Sequence, residues 1–166
     1  GNPPEGVDGA DMVSQDVDAE YAAYMATDES IGYTALHYNI STFIANDGKQ
    51  IFFHGEGDPW FSANDTVRYF EEMAAANADV QPVDDYARLY LVPGMGHCNG
   101  GERTVDSFDL LTPIVQWVEQ GIAPDSIVAT GQSMPGQSRP LCPYPAYAHY
   151  ESGDPADATS YACRMP

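Results

Sequence analysis

Positive charge is scarce in this sequence. Six Lys and Arg stand against 25 Asp and Glu in 166 residues, for a net charge of −19. A surface of that sign repels phosphate backbones and anionic headgroups, so neither nucleic acid nor a membrane is an expected partner. Long apolar runs are lacking too: none approaches the ~18–20 residues of a membrane-spanning helix. The chain opens on Gly1 and shows no signal-peptide pattern, so processing or truncation is expected to have removed what came before it. Cysteine is sparse and odd in number. Of Cys98, Cys142 and Cys163, one must remain a free thiol or pair outside the chain. What is present is an ordinary globular composition, 43% hydrophobic, and a domain of this length buries about 70% of its extended-chain surface. The acidity suits a protein held soluble outside the cell, and the sequons Asn39-Ile40-Ser41 and Asn64-Asp65-Thr66 point the same way, though weakly.

Residues 1–30 are rich in Asp, Gly and Ala and read as loop with one helical turn, followed by Tyr38–Ala45 as a short helix or approach segment. After the turn signal Asn46-Asp47-Gly48, the run Gln50-Ile51-Phe52-Phe53-His54 has the look of a buried parallel strand. Gly55-Glu56-Gly57-Asp58-Pro59 ends it. Ser62 stands where a helix N-cap is wanted, with Asp65 three residues on, and Val67, Phe70 and Ala74 recur at helical spacing through Ala78. Ala87–Val92 is a second strand, closed by Pro93-Gly94. A long loop follows, and then a helix is expected over Thr104–Gln120, with Pro113 marking a kink or a restart and Gly121 as its C-cap. Ser126–Ala129 reads as a short strand and the remainder as a Pro- and Tyr-rich tail. Strands alternating with helices argue for a parallel sheet flanked by helices. So few strands imply that the rest of the sheet is supplied by sequence outside this chain.

In open parallel sheets, functional side chains gather beyond the carboxyl ends of strands. Asp58 and His97 both occupy such positions, on successive strands. A hydrolytic triad needs a carboxylate that orients an imidazole and stabilises its charged form, and a histidine that takes the nucleophile's proton. In α/β-hydrolases the acid precedes the base in the chain, as here, by 39 residues. Each residue also has a plain structural reading, as a turn aspartate before proline and a loop histidine between glycines. Two such residues on neighbouring strands make that reading less economical. His37 and His149 do not stand in such a pattern along the sequence. His54, at a strand end, reads as structural or as a neighbour of the acid. Asp8, Asp11, Asp16 and Asp18 lack the glycine and terminal glutamate of a calcium loop, so no metal and no cofactor is implied.

The strings Ile51–Glu72, Ala87–Gly101, Asp106–Gly121 and Arg139-Pro140-Leu141-Cys142-Pro143-Tyr144-Pro145 resemble the C-terminal part of the tannase and feruloyl esterase family, over roughly residues 38–166. The resemblance implies an α/β fold, namely the C-terminal portion of an α/β-hydrolase with parallel strands and flanking helices. It also implies hydrolysis of aromatic acid esters by a secreted or periplasmic Ser-Asp-His enzyme. Asp58 and His97 match the acid and the base. Residues 1–37 would be the end of a lid region, where the match fades. Cys142 and Cys163 match the family's C-terminal disulfide. Cys98 matches the cysteine that follows the catalytic histidine and pairs with one beside the nucleophilic serine, so its partner is expected outside this chain, in an N-terminal segment or subunit. Trp60 and Phe61, next to the acid, would border the aromatic pocket; the plainer alternative is a hydrophobic staple onto the following helix.

No serine in the chain sits in a nucleophile elbow. Ser14, Ser30 and Ser41 precede the acid outside any Gly-x-Ser-x-Gly turn, and Gly131-Gln132-Ser133 follows the base without the closing glycine. Acid and base without a nucleophile are expected to be inactive alone. The rival readings are a non-catalytic remnant or binding fragment of the same fold and, more distantly, another α/β-hydrolase such as a peptidase.

Overall fold

The computed structural model describes residues 16–26 and 37–166, in two units divided between His37 and Tyr38. In the first, helix α1 (Val17–Met25) replaces the single turn expected within residues 1–30. Its stability is local. Asp16 caps it by accepting from the Ala19 N–H at 3.1 Å, and Asp18 and Glu20 sit in its first turn, where negative charge meets the positive end of the helix dipole. Val17 and Tyr21 are exposed. Asp8 and Asp11 lie outside the described residues.

The second unit is built on two parallel strands, β1 (Gln50–Gly55) and β2 (Ala87–Val92), paired from Gln50↔Ala87 to Gly55↔Val92. Side chains alternate across such strands, and both faces are covered. On one face Phe52 and Leu89 pack against Phe70 and Met73 of helix α3 (Ala63–Ala76), with Ile44 of the short helix α2 (Ser41–Ala45) closing the cluster. Ser62 caps α3 by accepting from the Asn64 N–H, as its position suggests, while Asp65 turns to Arg68 at 3.2 Å. On the other face Tyr90 and Val92 join Met95, Val105, Ile127, Ala129 and Leu141. Burial of each such side chain contributes about 1.5–3 kcal/mol. Tyr90, fully buried, donates to the Pro124 carbonyl, and burial pushes its phenol up to about 12.

The expected helix over Thr104–Gln120 is shorter. Ser107–Phe108 forms strand β3, and helix α4 spans Leu111–Gln120. Asp109 accepts from the N–H groups of Leu111 and Thr112, and Pro113 then falls in the first turn, where a missing N–H leaves no bond unmade. Pro113 therefore marks the beginning of a helix and no kink. Gly121 ends α4 at φ 71°.

Strand β4 (Ile127–Thr130) does not extend the parallel pair. It lies antiparallel between β3 and β5 (Ser138–Leu141), because the β4–β5 connection is far too short for the crossover that parallel pairing requires. The tail read as irregular holds a further hairpin, β6 (Tyr147–Tyr150) with β7 (Tyr161–Arg164). The Cys142–Cys163 disulfide, with Cα atoms 5.5 Å apart, staples β7 to the chain just past β5. Next to it, the Tyr144 N–H bonds to the Leu89 carbonyl and covers the outer edge of β2.

Candidate active site

The in-register end of the parallel pair builds the site. Gly55 and Val92 are partners, so the chain leaves both strands at the same level. The Glu56 N–H continues the ladder to the Val92 carbonyl, and the Gly57 N–H reaches the Met95 carbonyl at 2.9 Å. Gly57 leaves room for this contact, since a Cβ there would stand 3.0 Å from the Gly94 carbonyl oxygen. The two loops are thereby locked to each other before either reaches its functional residue.

Asp58 Oδ2 lies 2.8 Å from His97 Nδ1. The carboxylate can only accept, so Nδ1 carries the proton and Nε2 is the nitrogen left for chemistry. Asp58 Oδ1 accepts from the backbone N–H groups of Trp60 at 2.8 Å and Phe61 at 3.1 Å. The acid's side chain is 4% exposed and the base's 39%, so one partner is enclosed while the other reaches solvent. Desolvation pushes the Asp58 carboxyl up. The hydrogen bond from His97, those from the Trp60 and Phe61 backbone and the charge of His97 outweigh it, and hold the group at about 2. The acid therefore stays ionised throughout the neutral range.

Trp60 and Phe61 are 74% and 61% exposed. Their rings lie against His97, with centroids 5.0 Å and 5.4 Å away. Phe61 does occupy the residue before the N-cap, but the staple position on α3 is Thr66, which offers no apolar partner. The two rings border a surface depression of about 400 Å³ that also takes in Glu56, Asp58, Pro59 and Ser62.

The base loop has its own support. The Gly96 N–H bonds to the Gly100 carbonyl, and the Gly100 N–H donates to Asp106 Oδ2 at 2.8 Å. Cys98 is exposed, unpaired among the described residues, and held at φ 69°, a left-handed conformation that strains a residue with a Cβ. Ser133 braces the end of this loop, accepting from the Thr104 N–H and donating to the Thr104 carbonyl. Sequence spacing pointed neither to Asp106 nor to Thr66, whose hydroxyl is 2.7 Å from His54 Nδ1. An Asp a few residues past a glycine-rich loop is the one faint signal for the former. Among the described residues no group of three or more His, Cys, Asp or Glu is placed to hold a metal ion, and no helix is long and apolar enough to cross a membrane.

A family model described as tannase and feruloyl esterase matches residues 8–164. The chain is 45% identical over 139 residues to mono(2-hydroxyethyl) terephthalate hydrolase of Piscinibacter sakaiensis, covering 80% of this chain and 22% of that protein. It is 30% identical over 147 residues to feruloyl esterase B of Aspergillus niger, covering 78% of this chain and 28% of that protein. Among solved structures, an esterase from Aspergillus oryzae superposes with a TM-score of 0.64 at 30% identity, over 76% of this chain and 29% of that one. The chain thus spans less than a third of the length of the relatives it matches.

Proposed function

Because this chain belongs to the tannase and feruloyl esterase family, a family of carboxylic ester hydrolases, we propose that Asp58 and His97 are the acid and base of a Ser-Asp-His esterase acting on aromatic acid esters. The observation that carries this reading is the 2.8 Å contact between Asp58 Oδ2 and His97 Nδ1 beside an aromatic-walled depression. His97 Nε2 takes the proton of a serine hydroxyl as that oxygen attacks the ester carbonyl, then returns it to the departing alcohol. Asp58, ionised throughout the neutral range, keeps the imidazole in the Nδ1–H form and stabilises the imidazolium. Trp60 and Phe61 offer the aromatic acyl group two rings next to the base.

The serine comes from a segment outside this chain, and Cys98, exposed next to the base, is the point at which a disulfide would tether it. A secreted or periplasmic setting fits that bond and the Cys142–Cys163 bridge, since both require oxidising surroundings.

This chain alone, given methyl ferulate or a p-nitrophenyl ester, is expected to show no turnover above background; sustained turnover abolished by His97→Ala would refute the missing nucleophile. In the assembled enzyme, His97→Ala is expected to lower kcat by about three or more orders of magnitude. A loss under about tenfold would remove His97 from the role of base. Intact mass without reductant tests the tether: a chain carrying only a free Cys98 thiol excludes a disulfide-linked second polypeptide.

A further inference from the structure

The roles proposed for His97 and Asp58 leave out His54, at the end of β1 and four residues before the acid. Its side chain is 14% exposed. His54 Nδ1 lies 2.7 Å from Thr66 Oγ1 on α3, and Nε2 lies 3.1 Å from the Phe61 carbonyl oxygen. Nε2 is also 3.6 Å from Asp58 Oδ2, the oxygen that His97 contacts. The Phe61 carbonyl can only accept, so the proton sits on Nε2 and is donated to that carbonyl, with the carboxylate close by but beyond hydrogen-bond distance. With Nδ1 taken by the Thr66 hydroxyl, neither ring nitrogen is left to exchange protons with a substrate.

Past its backbone bonds to the base loop at Glu56 and Gly57, the loop that His54 grips buries little apolar surface. It carries Gly55, Gly57 and two exposed aromatic rings, so apolar burial does little to oppose its conformational entropy. Its order comes from polar contacts. Asp58 binds the Trp60 and Phe61 N–H groups, which fixes the carboxylate relative to the loop. His54 binds the Phe61 carbonyl, and through Thr66 it fixes the loop relative to α3.

We propose that His54 is a positioning residue of the Asp58–His97 pair, an inference that rests on the role proposed for that pair above. It ties the acid loop to α3, so that the Asp58 carboxylate and the Phe61 ring are both presented to His97 at fixed distance. A displacement of about 1 Å at such a pair is enough to cost a large factor in rate.

NMR of the full 166-residue chain tests this without reference to activity. The His97 Nδ1 proton, bonded to a buried carboxylate, should give a resolved downfield resonance that disappears in Asp58→Asn. His54→Leu should weaken or abolish it, Thr66→Val should weaken it, and His54→Gln, which keeps an N–H for the Phe61 carbonyl, should largely restore it. A folded His54→Leu chain, judged by unchanged β6–β7 amide shifts, that keeps the wild-type resonance overturns the positioning role. Should His54→Leu fail to fold, Thr66→Val decides: a wild-type resonance there overturns the role and a weakened one supports it. A resonance that survives Asp58→Asn instead overturns the reading of the pair itself, and the positioning role with it. In the assembled enzyme the same ranking of variants is expected in kcat, with a loss of roughly tenfold or more for His54→Leu and KM changed by less than about twofold.

Discussion

Gly55 and Met95 are in such close backbone contact that a Cβ built on the glycine would stand 2.3 Å from the Met95 carbonyl oxygen. The contact lies where the acid loop and the base loop leave their strands, so it sets the separation of the two loops that carry Asp58 and His97. The neighbour is backbone and cannot swing aside as a side chain would.

Gly55→Ala must therefore push the loops apart. It is expected to destabilise the chain by about 2–4 kcal/mol, seen as a lower urea midpoint, and to erase the His97 Nδ1 proton resonance. An alanine variant with wild-type stability and resonance would mean that the close approach is relaxed in solution.

Acid should weaken the fold through Asp58. Its folded-state pKa of about 2 lies below the ordinary 3.8, so the unfolded chain takes up the proton first. The stabilisation is complete above pH 4 and is lost as the pH falls towards 2. Asp109, held down chiefly by the Thr112 side chain and backbone, and Asp157, held down chiefly by the Thr159 N–H, act in the same direction. Urea midpoints at pH 3 and pH 7 should differ less in Asp58→Asn than in the wild type, with a residual difference left by Asp109 and Asp157. An unchanged difference would exclude Asp58 from the acid response.

Loss of the Cys142–Cys163 bridge frees a 21-residue separation. On the loop-entropy relation this costs about 3 kcal/mol. The double Ser variant should show that drop in denaturant stability, and protease sensitivity should appear first in the β6–β7 hairpin, which the bridge helps to hold against β5 together with the Ser138 hydrogen bonds to Ala156 and Ala158. Equal stability with and without the bridge would place the hairpin's anchorage elsewhere.

Asn77 is fully buried at the end of α3. Its amide donates to the Tyr38 and Met73 carbonyls, and its Oδ1 accepts from the Ile40 N–H. Asn77→Ala strands these backbone groups away from water and should cost about 2–3 kcal/mol. Asn77→Asp keeps only the acceptor side and should cost at least as much, because a charge is buried beside two carbonyls. Circular-dichroism melts of both variants check the ranking.

Much of this was legible in the chain because it depends on near neighbours. β1, β2, the Ser62 cap of α3 and the Gly121 end of α4 follow from runs, turn residues and caps that lie within a few positions of what they control. The misreadings arose where the deciding partner lies elsewhere. Pro113 left a kink and a restart both open, and the bonds from Leu111 and Thr112 to Asp109, which begin the helix there, decided for the restart. β5, β6 and β7 have little periodicity of their own and exist because they pair with one another or with β4, under a disulfide. Helix α1 was expected only as a single turn within residues 1–30; its start is set by the Asp16 cap and by the first-turn charges of Asp18 and Glu20.

The sequence by itself marked Asp58 and His97, a carboxylate and an imidazole beyond two strand ends, as the candidates for proton chemistry, and it holds no Gly-x-Ser-x-Gly elbow beside them. Tertiary structure decided the rest. The parallel register that levels Gly55 with Val92 brings residues 39 positions apart to 2.8 Å, and the α3 packing that sets Thr66 against His54 gives that histidine two partners. Both are distances across space, fixed by how elements pack, and no local pattern in the chain encodes them.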